Sequence, residues 1–242
     1  MAKIALVTGG NRGIGLETAR QLADQDVLVI VAARDYGKAV EAARALRKGA
    51  HQAEAVQLDV TDAASIAAAA EEVARRHGRL DILINNAGII SSSPDGRPSS
   101  QPVAEWRRIF ETNLFGLVET TQAFLPLLKK SEAGRIVHLS SILGSNTLHE
   151  TPGSPIYEFK AVPAYSASKS AVNSYTVHLA YELRDTPIKV NAAHPGYVKT
   201  EMNAGAGELD VPDGARTSVA LALLGPDGPS GKLIHLGQVL PW

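Results

Sequence analysis

Tyr165 and Lys169, in Ala164-Tyr-Ser-Ala-Ser-Lys169, stand four residues apart. On a helix that spacing places one side chain above the other on the same face. An ammonium beside a phenol favours the phenolate, so the pair predicts a tyrosine with a pKa below its ordinary value of about 10, able to give or take a proton nearer neutrality. The same chain carries Thr8-Gly-Gly-Asn-Arg-Gly-Ile-Gly15 between an apolar run and a helical one. Backbone N–H groups left bare at such a helix start attract phosphate. Glycines also close ordinary turns, so the loop gains its meaning from its place and from its company with Tyr165 and Lys169. Together they imply a dinucleotide held beside a proton donor. Arg34 follows the second apolar run, where a carboxylate would bind the ribose 2′-hydroxyl of NAD. With Arg12 in the loop, two guanidinium groups suit a 2′-phosphate, so NADPH (NADP+) is the expected cofactor and NADH the less favoured one. Asp35 is expected to cap the next helix; the alternative is a ribose ligand that permits NAD.

These residues need a scaffold, and the chain alternates β-rich runs with alanine-rich ones. Seven strands are expected, at Lys3–Thr8, Val27–Ala33, Glu54–Asp59, Leu80–Asn85, Arg135–Ser140, Ile188–Ala193 and Lys232–His235. Most are apolar throughout, as strands covered on both faces are. Helices are expected over 13–25, 37–48, 63–77, 102–131, 163–185 and 213–224, and Arg75-Arg-His77 before Gly78 reads as a helix stop. The fold class is α/β: a single Rossmann domain over 1–242, a doubly wound seven-stranded parallel sheet with helices on both faces. Ser91–Gln101, Ser145–Pro163 and Asn203–Asp213 are rich in Ser, Pro or Gly and break the alternation. Each should follow the carboxyl end of a strand, the edge where open α/β sheets bind ligands.

Composition narrows the function. A chain of 242 residues, 45% hydrophobic, can bury one full core. A net charge of −1 gives no reason to expect nucleic acid or an anionic membrane as partner. Without cysteine there is no disulfide, thiolate metal site or thiol nucleophile, and seven scattered histidines without a His-Glu-x-x-His pattern make no metal site. No apolar run approaches the roughly 18 residues of a membrane helix, and the first strand begins too early for a signal peptide. A cytoplasmic protein is expected. His138, His178 and His194 read as core or strand-end histidines, and His149 and Glu150 as solvated loop polarity.

Beyond the loop and the Tyr-x-x-x-Lys pair, Asn85-Asn-Ala-Gly88 follows the fourth strand, Asn113 sits in Thr112-Asn-Leu-Phe-Gly116, Ser140-Ser-Ile-Leu-Gly144 follows the fifth strand, and Pro195-Gly-Tyr-Val-Lys-Thr200 follows the sixth. In these motifs the chain resembles the short-chain dehydrogenase/reductase family in its classical form, over nearly its whole length. The resemblance implies that Ser141 holds a substrate carbonyl, that Tyr165 donates the proton, and that Lys169 lowers the tyrosine pKa and binds the nicotinamide ribose. Asn113 would hold a water linking Lys169 to solvent. For the cofactor it implies Gly9, Asn11, Arg12, Gly13, Ile14 and Gly15 in the loop, Asp59 and Val60 at the adenine, Asn86, Ala87 and Gly88 along the cleft, and Pro195, Gly196, Val198 and Thr200 at the carboxamide. Within the family the chain is most similar to NADPH-dependent carbonyl reductases. The interval between Ser141 and Tyr165 is longer than usual, which places an insertion near 145–163 at the mouth of the site. In that subgroup a longer insertion accompanies a monomer; a monomer is expected here, with homodimer or homotetramer as alternatives.

The expected activity is reduction of a ketone, aldehyde or quinone-like carbonyl to an alcohol, with Ile142, Tyr197 and Met202 as apolar walls beside the catalytic positions. Alternatives are alcohol oxidation with NAD and, from another class, a non-catalytic nucleotide sensor on the same fold. The joint presence of Asn113, Ser141, Tyr165 and Lys169 favours an enzyme.

Overall fold

Side chains alternate across each strand, and both sides meet a hydrophobic layer, which is why the strands are apolar throughout. In the first strand Ala5 and Val7 enter one core while Ile4 and Leu6 enter the other. The computed structural model describes residues 2–49, 51–91 and 96–242. Its parallel strands are β1 (Ile4–Thr8), β2 (Leu28–Ala33), β3 (Ala53–Gln57), β4 (Ile82–Asn85), β5 (Arg135–Leu139), β6 (Lys189–Ala193) and β7 (Leu233–His235). They lie in the order β3-β2-β1-β4-β5-β6-β7, so the winding reverses between β1 and β4. One core packs α1 (Gly13–Ala23), α2 (Tyr36–Lys48) and α8 (Val211–Ala222) on one face; the other packs α3 (Ala63–His77), α5 (Gly116–Leu128) and α7 (Pro163–Glu182).

Three elements depart from the expected pattern. Among the described residues the sheet has eight strands rather than seven and is not wholly parallel, because β8 (Gln238–Leu240) turns back antiparallel on β7. The turn is two residues long, Leu236 and Gly237, with φ of 46° and 83°, and two successive positive φ values match the twist of a tight hairpin. The helix expected over 102–131 is three pieces: α4 (Val103–Phe110), a π-helical turn over Glu111–Phe115, and α5. The third departure is small: α6 (Asn146–Glu150) forms within a stretch expected to be irregular, its first turn capped by the Ser145 hydroxyl, which accepts from Leu148 N at 3.2 Å.

Helix ends follow the chemistry of their residues. Asp35 caps α2, accepting from Lys38 N at 3.1 Å, as expected, and Gly78 ends α3 with φ of 72°. The irregular stretches follow β4, β5 and β6; of Ser91–Gln101, residues 92–95 lie outside the described residues. Gly96 and Ala161 from two of these stretches touch so closely that a Cβ at Gly96 would collide with the Ala161 carbonyl. Among the described residues no helix is long and apolar enough to cross a membrane, and no cluster of side chains could hold a metal ion.

Candidate active site

At the switch between β1 and β4 the glycine loop is built for close backbone approach. Gly9 and Gly13 take φ of 60° and 53°, and space lies open where a Cβ of Gly13 would stand. A Cβ on Gly15 would instead strike Asn86 and the Gly9 carbonyl. The loop is splinted from β4: Thr8 Oγ1 accepts from Asn86 N and Ala87 N at 3.0 Å each, and Asn86 Nδ2 donates to Thr8 O at 2.9 Å and Gly9 O at 3.2 Å. Asn86 thus holds the loop. The N-terminus of α1 has no side-chain cap and no acidic residue in its first turn. Bare N–H groups, an open glycine and a first turn free of acidic residues fit the pyrophosphate of a dinucleotide.

The charged residues at the adenosine end are arranged unequally. Arg34 is exposed at the end of β2, while Asp35 spends its carboxylate on the α2 cap. Arg12, exposed, pairs with Glu201 at 2.5 Å across the mouth of the loop. Asp59 is occupied locally, accepting from Thr61 N at 2.9 Å and Thr61 Oγ1 at 2.8 Å. Its neighbour Val60 is buried, and a Cβ on Gly116 would collide with the Val60 carbonyl.

Asn113 lies in the π turn, fully buried. Its Oδ1 accepts from Ile89 N at 2.8 Å, and its Nδ2 donates to Ile89 O at 2.9 Å and Ser168 Oγ at 3.1 Å. Ser168 Oγ in turn donates to Tyr165 O at 2.7 Å. The amide therefore ties the segment after β4 to the second turn of α7. Lys169, the next residue, donates to Leu139 O at 2.7 Å and lies 5.5 Å from the centre of the Tyr165 ring. Gly88 sits beside both: a Cβ there would be 3.4 Å from Asn113 Oδ1 and 3.7 Å from Lys169 Nζ. Ser141 starts a single 3-10 turn, Ile142–Gly144, its Oγ accepting from Leu143 N at 3.2 Å.

The electrostatics correct one expectation. The Tyr165 pKa is not lowered: burial pushes it up to about 12, against a hydrogen bond with Ser141 that pulls it down. Burial also pushes Lys169 down to about 8. Desolvation acts on both groups and outweighs the attraction that the four-residue spacing suggests. At neutral pH the pair is a phenol beside an ammonium, suited to giving a proton rather than taking one.

Around this group, Ile142 is half-buried, and Tyr197 and Met202 are exposed on the segment after β6. That segment is fixed by Gly196, at φ of 89°, and by buried Val198, which bridges to Leu209. Thr200 and Asn203 cap the turn that follows. His138 and His194 are buried, as expected, but His178 is exposed on the outer side of α7 and belongs to no core. His149 is not solvated polarity either: its Nε2 lies 3.0 Å from Leu143 O, tying α6 to the Ser141 turn. Ser140 and Gly144 stand in a recognised motif without an expected role, and Ser168 and Asn173 were not expected at the site. For Asn173 the signal was present, since it continues the Tyr165, Lys169 spacing by one more step.

Residues 3–209 match the family model described as short chain dehydrogenase. The chain belongs to that family. It is 32% identical to a (+)-neomenthol dehydrogenase of Capsicum annuum, over 98% of this chain and 96% of the relative. It is 31% identical to a salutaridine reductase of Papaver bracteatum, over 95% of this chain and 93% of the relative. Among solved structures, an NADPH-bound carbonyl reductase from chicken fatty liver superposes with a TM-score of 0.86 at 30% identity, covering 100% of this chain and 99% of that one. The protein is accordingly an oxidoreductase of this family, and its similar relatives include plant reductases.

Proposed function

We propose that the protein reduces a ketone, aldehyde or quinone-like carbonyl to an alcohol with NADPH, with Tyr165 as proton donor. The observation that carries this reading is the half-buried Tyr165 ring 5.5 Å from the Lys169 ammonium, with Asn113 and Gly88 beside that lysine. The dinucleotide would be held by the loop from Gly9 to Gly15 and by Asn86 to Gly88, with Lys169 toward its ribose and Val198 and Thr200 toward its carboxamide; when bound it supplies the hydride. Tyr165 then gives its proton to the developing alkoxide oxygen, and Ser141 offers that oxygen a second O–H. The Lys169 ammonium compensates the negative charge left on Tyr165. Asn113, through Ile89 and Ser168, keeps α7 registered against the sheet edge.

NADPH is favoured over NADH by Arg34, by Arg12 within reach of the loop mouth, and by the commitment of Asp35 to its helix cap. The Arg12 pair with Glu201 is exposed and screened, so it yields readily to a phosphate. The NADPH-bound carbonyl reductase superposes over the whole chain, which agrees with this choice. The segment 145–163 is assigned as the insertion at the mouth, and the protein as a monomer. The test is steady-state oxidation of NADPH and NADH across aryl ketones, aldehydes, diketones and quinones. Turnover preferring NADPH is expected, and Arg34→Ala should weaken NADPH about tenfold or more while leaving NADH unchanged. Preference for NADH, or equal loss for both cofactors, contradicts the assignment.

A further inference from the structure

We infer that Asn173 is a positioning residue of this site, holding the Ser141 turn against Tyr165 and Lys169. The inference rests on the reading of Ser141 and Tyr165 as two O–H groups that serve one carbonyl. Residues 165, 169 and 173 succeed one another at helical steps of four, so they share a face of α7. Asn173 is 3% exposed. Its Oδ1 accepts from Ser140 Oγ at 2.6 Å, and its Nδ2 donates to Gly144 O at 3.1 Å. One amide therefore grips the chain immediately before Ser141 and again at the end of its turn. Ser170 Oγ donates to the same Gly144 carbonyl at 3.0 Å, so two side chains of α7 hold that end.

The grip is close. A Cβ on Gly144 would stand 2.7 Å from the Lys169 carbonyl carbon and 2.9 Å from Asn173 Nδ2, so the turn lies directly on the helix at Lys169. Glycine is the residue that permits this approach. The chemistry of an amide is specific here, because one side chain must accept on one side and donate on the other. Aspartate lacks the donor toward Gly144, and an aliphatic residue lacks both. Since its two polar ends are engaged, Asn173 acts through Ser141, fixing where the Ser141 turn stands relative to Tyr165 on the same helix. Misplacing a catalytic group by about 1 Å can cost on the order of a hundredfold in rate.

The experiment compares wild type, Asn173→Ala, Ser141→Ala and the double variant as full chains, using NADPH and the carbonyl compound best reduced by wild type. Amide hydrogen exchange is measured on each. Asn173→Ala is expected to lower kcat by about ten- to a hundredfold, with KM for NADPH within about twofold. In the Ser141→Ala background the same change should cost less than about twofold, because the residue it positions is gone. Exchange at Leu143 to Ser145 should accelerate about tenfold while the last turns of α7 stay unchanged. A full repeat of the loss on top of Ser141→Ala, or unchanged exchange in the turn, overturns the proposal. If Asn173→Ala does not fold, Ser140→Ala removes one grip alone and should show a smaller loss of the same kind; no change in kcat or in turn exchange overturns the proposal there too. If wild type reduces no compound, the functional reading fails separately, and the exchange data alone decide for or against the positioning.

Discussion

Tyr165 and Lys169 were legible as a pair because helical spacing is a matter of sequence, but their protonation was not. Spacing puts an ammonium near a phenol, whereas the depth of the site decides which form each group takes. With Tyr165 pushed up to about 12 and Lys169 down to about 8, both by burial, the competent state is neutral tyrosine with charged lysine. Reduction should therefore hold steady near neutrality and decline as pH rises through about 8, where the ammonium is lost. A profile of kcat/KM for carbonyl reduction from pH 6 to 10 checks this, and a rate that keeps rising to pH 10 would count against it. Tyr165→Phe keeps the ring and removes the O–H. It should lower kcat by about 10³-fold while cofactor affinity, read by quenching of protein fluorescence, stays within about twofold. Asn113 was legible by its motif, yet its use of both amide ends on Ile89 and Ser168 was not, since that depends on chain segments far apart in sequence.

The parallel strands and most helices could be read from apolar runs and caps, and β8 and the break in the long helix could not. Thr112, Asn113, Phe115 and Gly116 weaken helix propensity locally, but weak propensity alone does not tell a π turn from a continuing α-helix over Glu111–Phe115. The marker is tertiary. Gly116 lies against the Val60 carbonyl with no room for a methyl group, so the chain must be rewound just before it to bring α5 that close. Asn113 is carried on that rewound turn, with its amide aimed at Ile89. Gly116→Ala should push α5 away from Val60, destabilise the fold by about 2 kcal/mol or more, and lower kcat because the Asn113 anchor moves with it. Chemical denaturation and steady-state kinetics on the same preparation check both effects. An alanine variant with wild-type stability would remove this account of the π turn. The β7–β8 hairpin was missed for the opposite reason: its only sign is Gly237, one glycine beside a leucine that also adopts positive φ.

For the whole molecule, two buried histidines set a limit on stability in acid. Burial, with the Lys169 charge adding to it, holds His138 down at about 3, and burial with His235 nearby holds His194 at about 3 as well. Both start from an ordinary value of 6.5. The sign follows from proton counting: between about pH 3 and 6.5 the unfolded chain binds protons at these positions and the folded protein does not, so acid favours unfolding. Stability is complete above about 6.5 and falls as pH drops, by about 1.4 kcal/mol per pH unit for each group. Carboxylates titrate mainly below about pH 5, so the window from 7 to 5 isolates the histidines. In a domain stable by only about 5–15 kcal/mol the loss is large enough to measure. Urea midpoints taken at pH 7, 6 and 5 should fall steadily for wild type. His138→Leu breaks the 2.8 Å contact of the ring with Thr176 Oγ1 and should be less stable at pH 7, yet its midpoint should fall with about one proton less dependence toward pH 5. An unchanged slope in that variant would mean that His138 takes up its proton in the folded protein, and that the interior behind Lys169 is not the dry environment its burial describes.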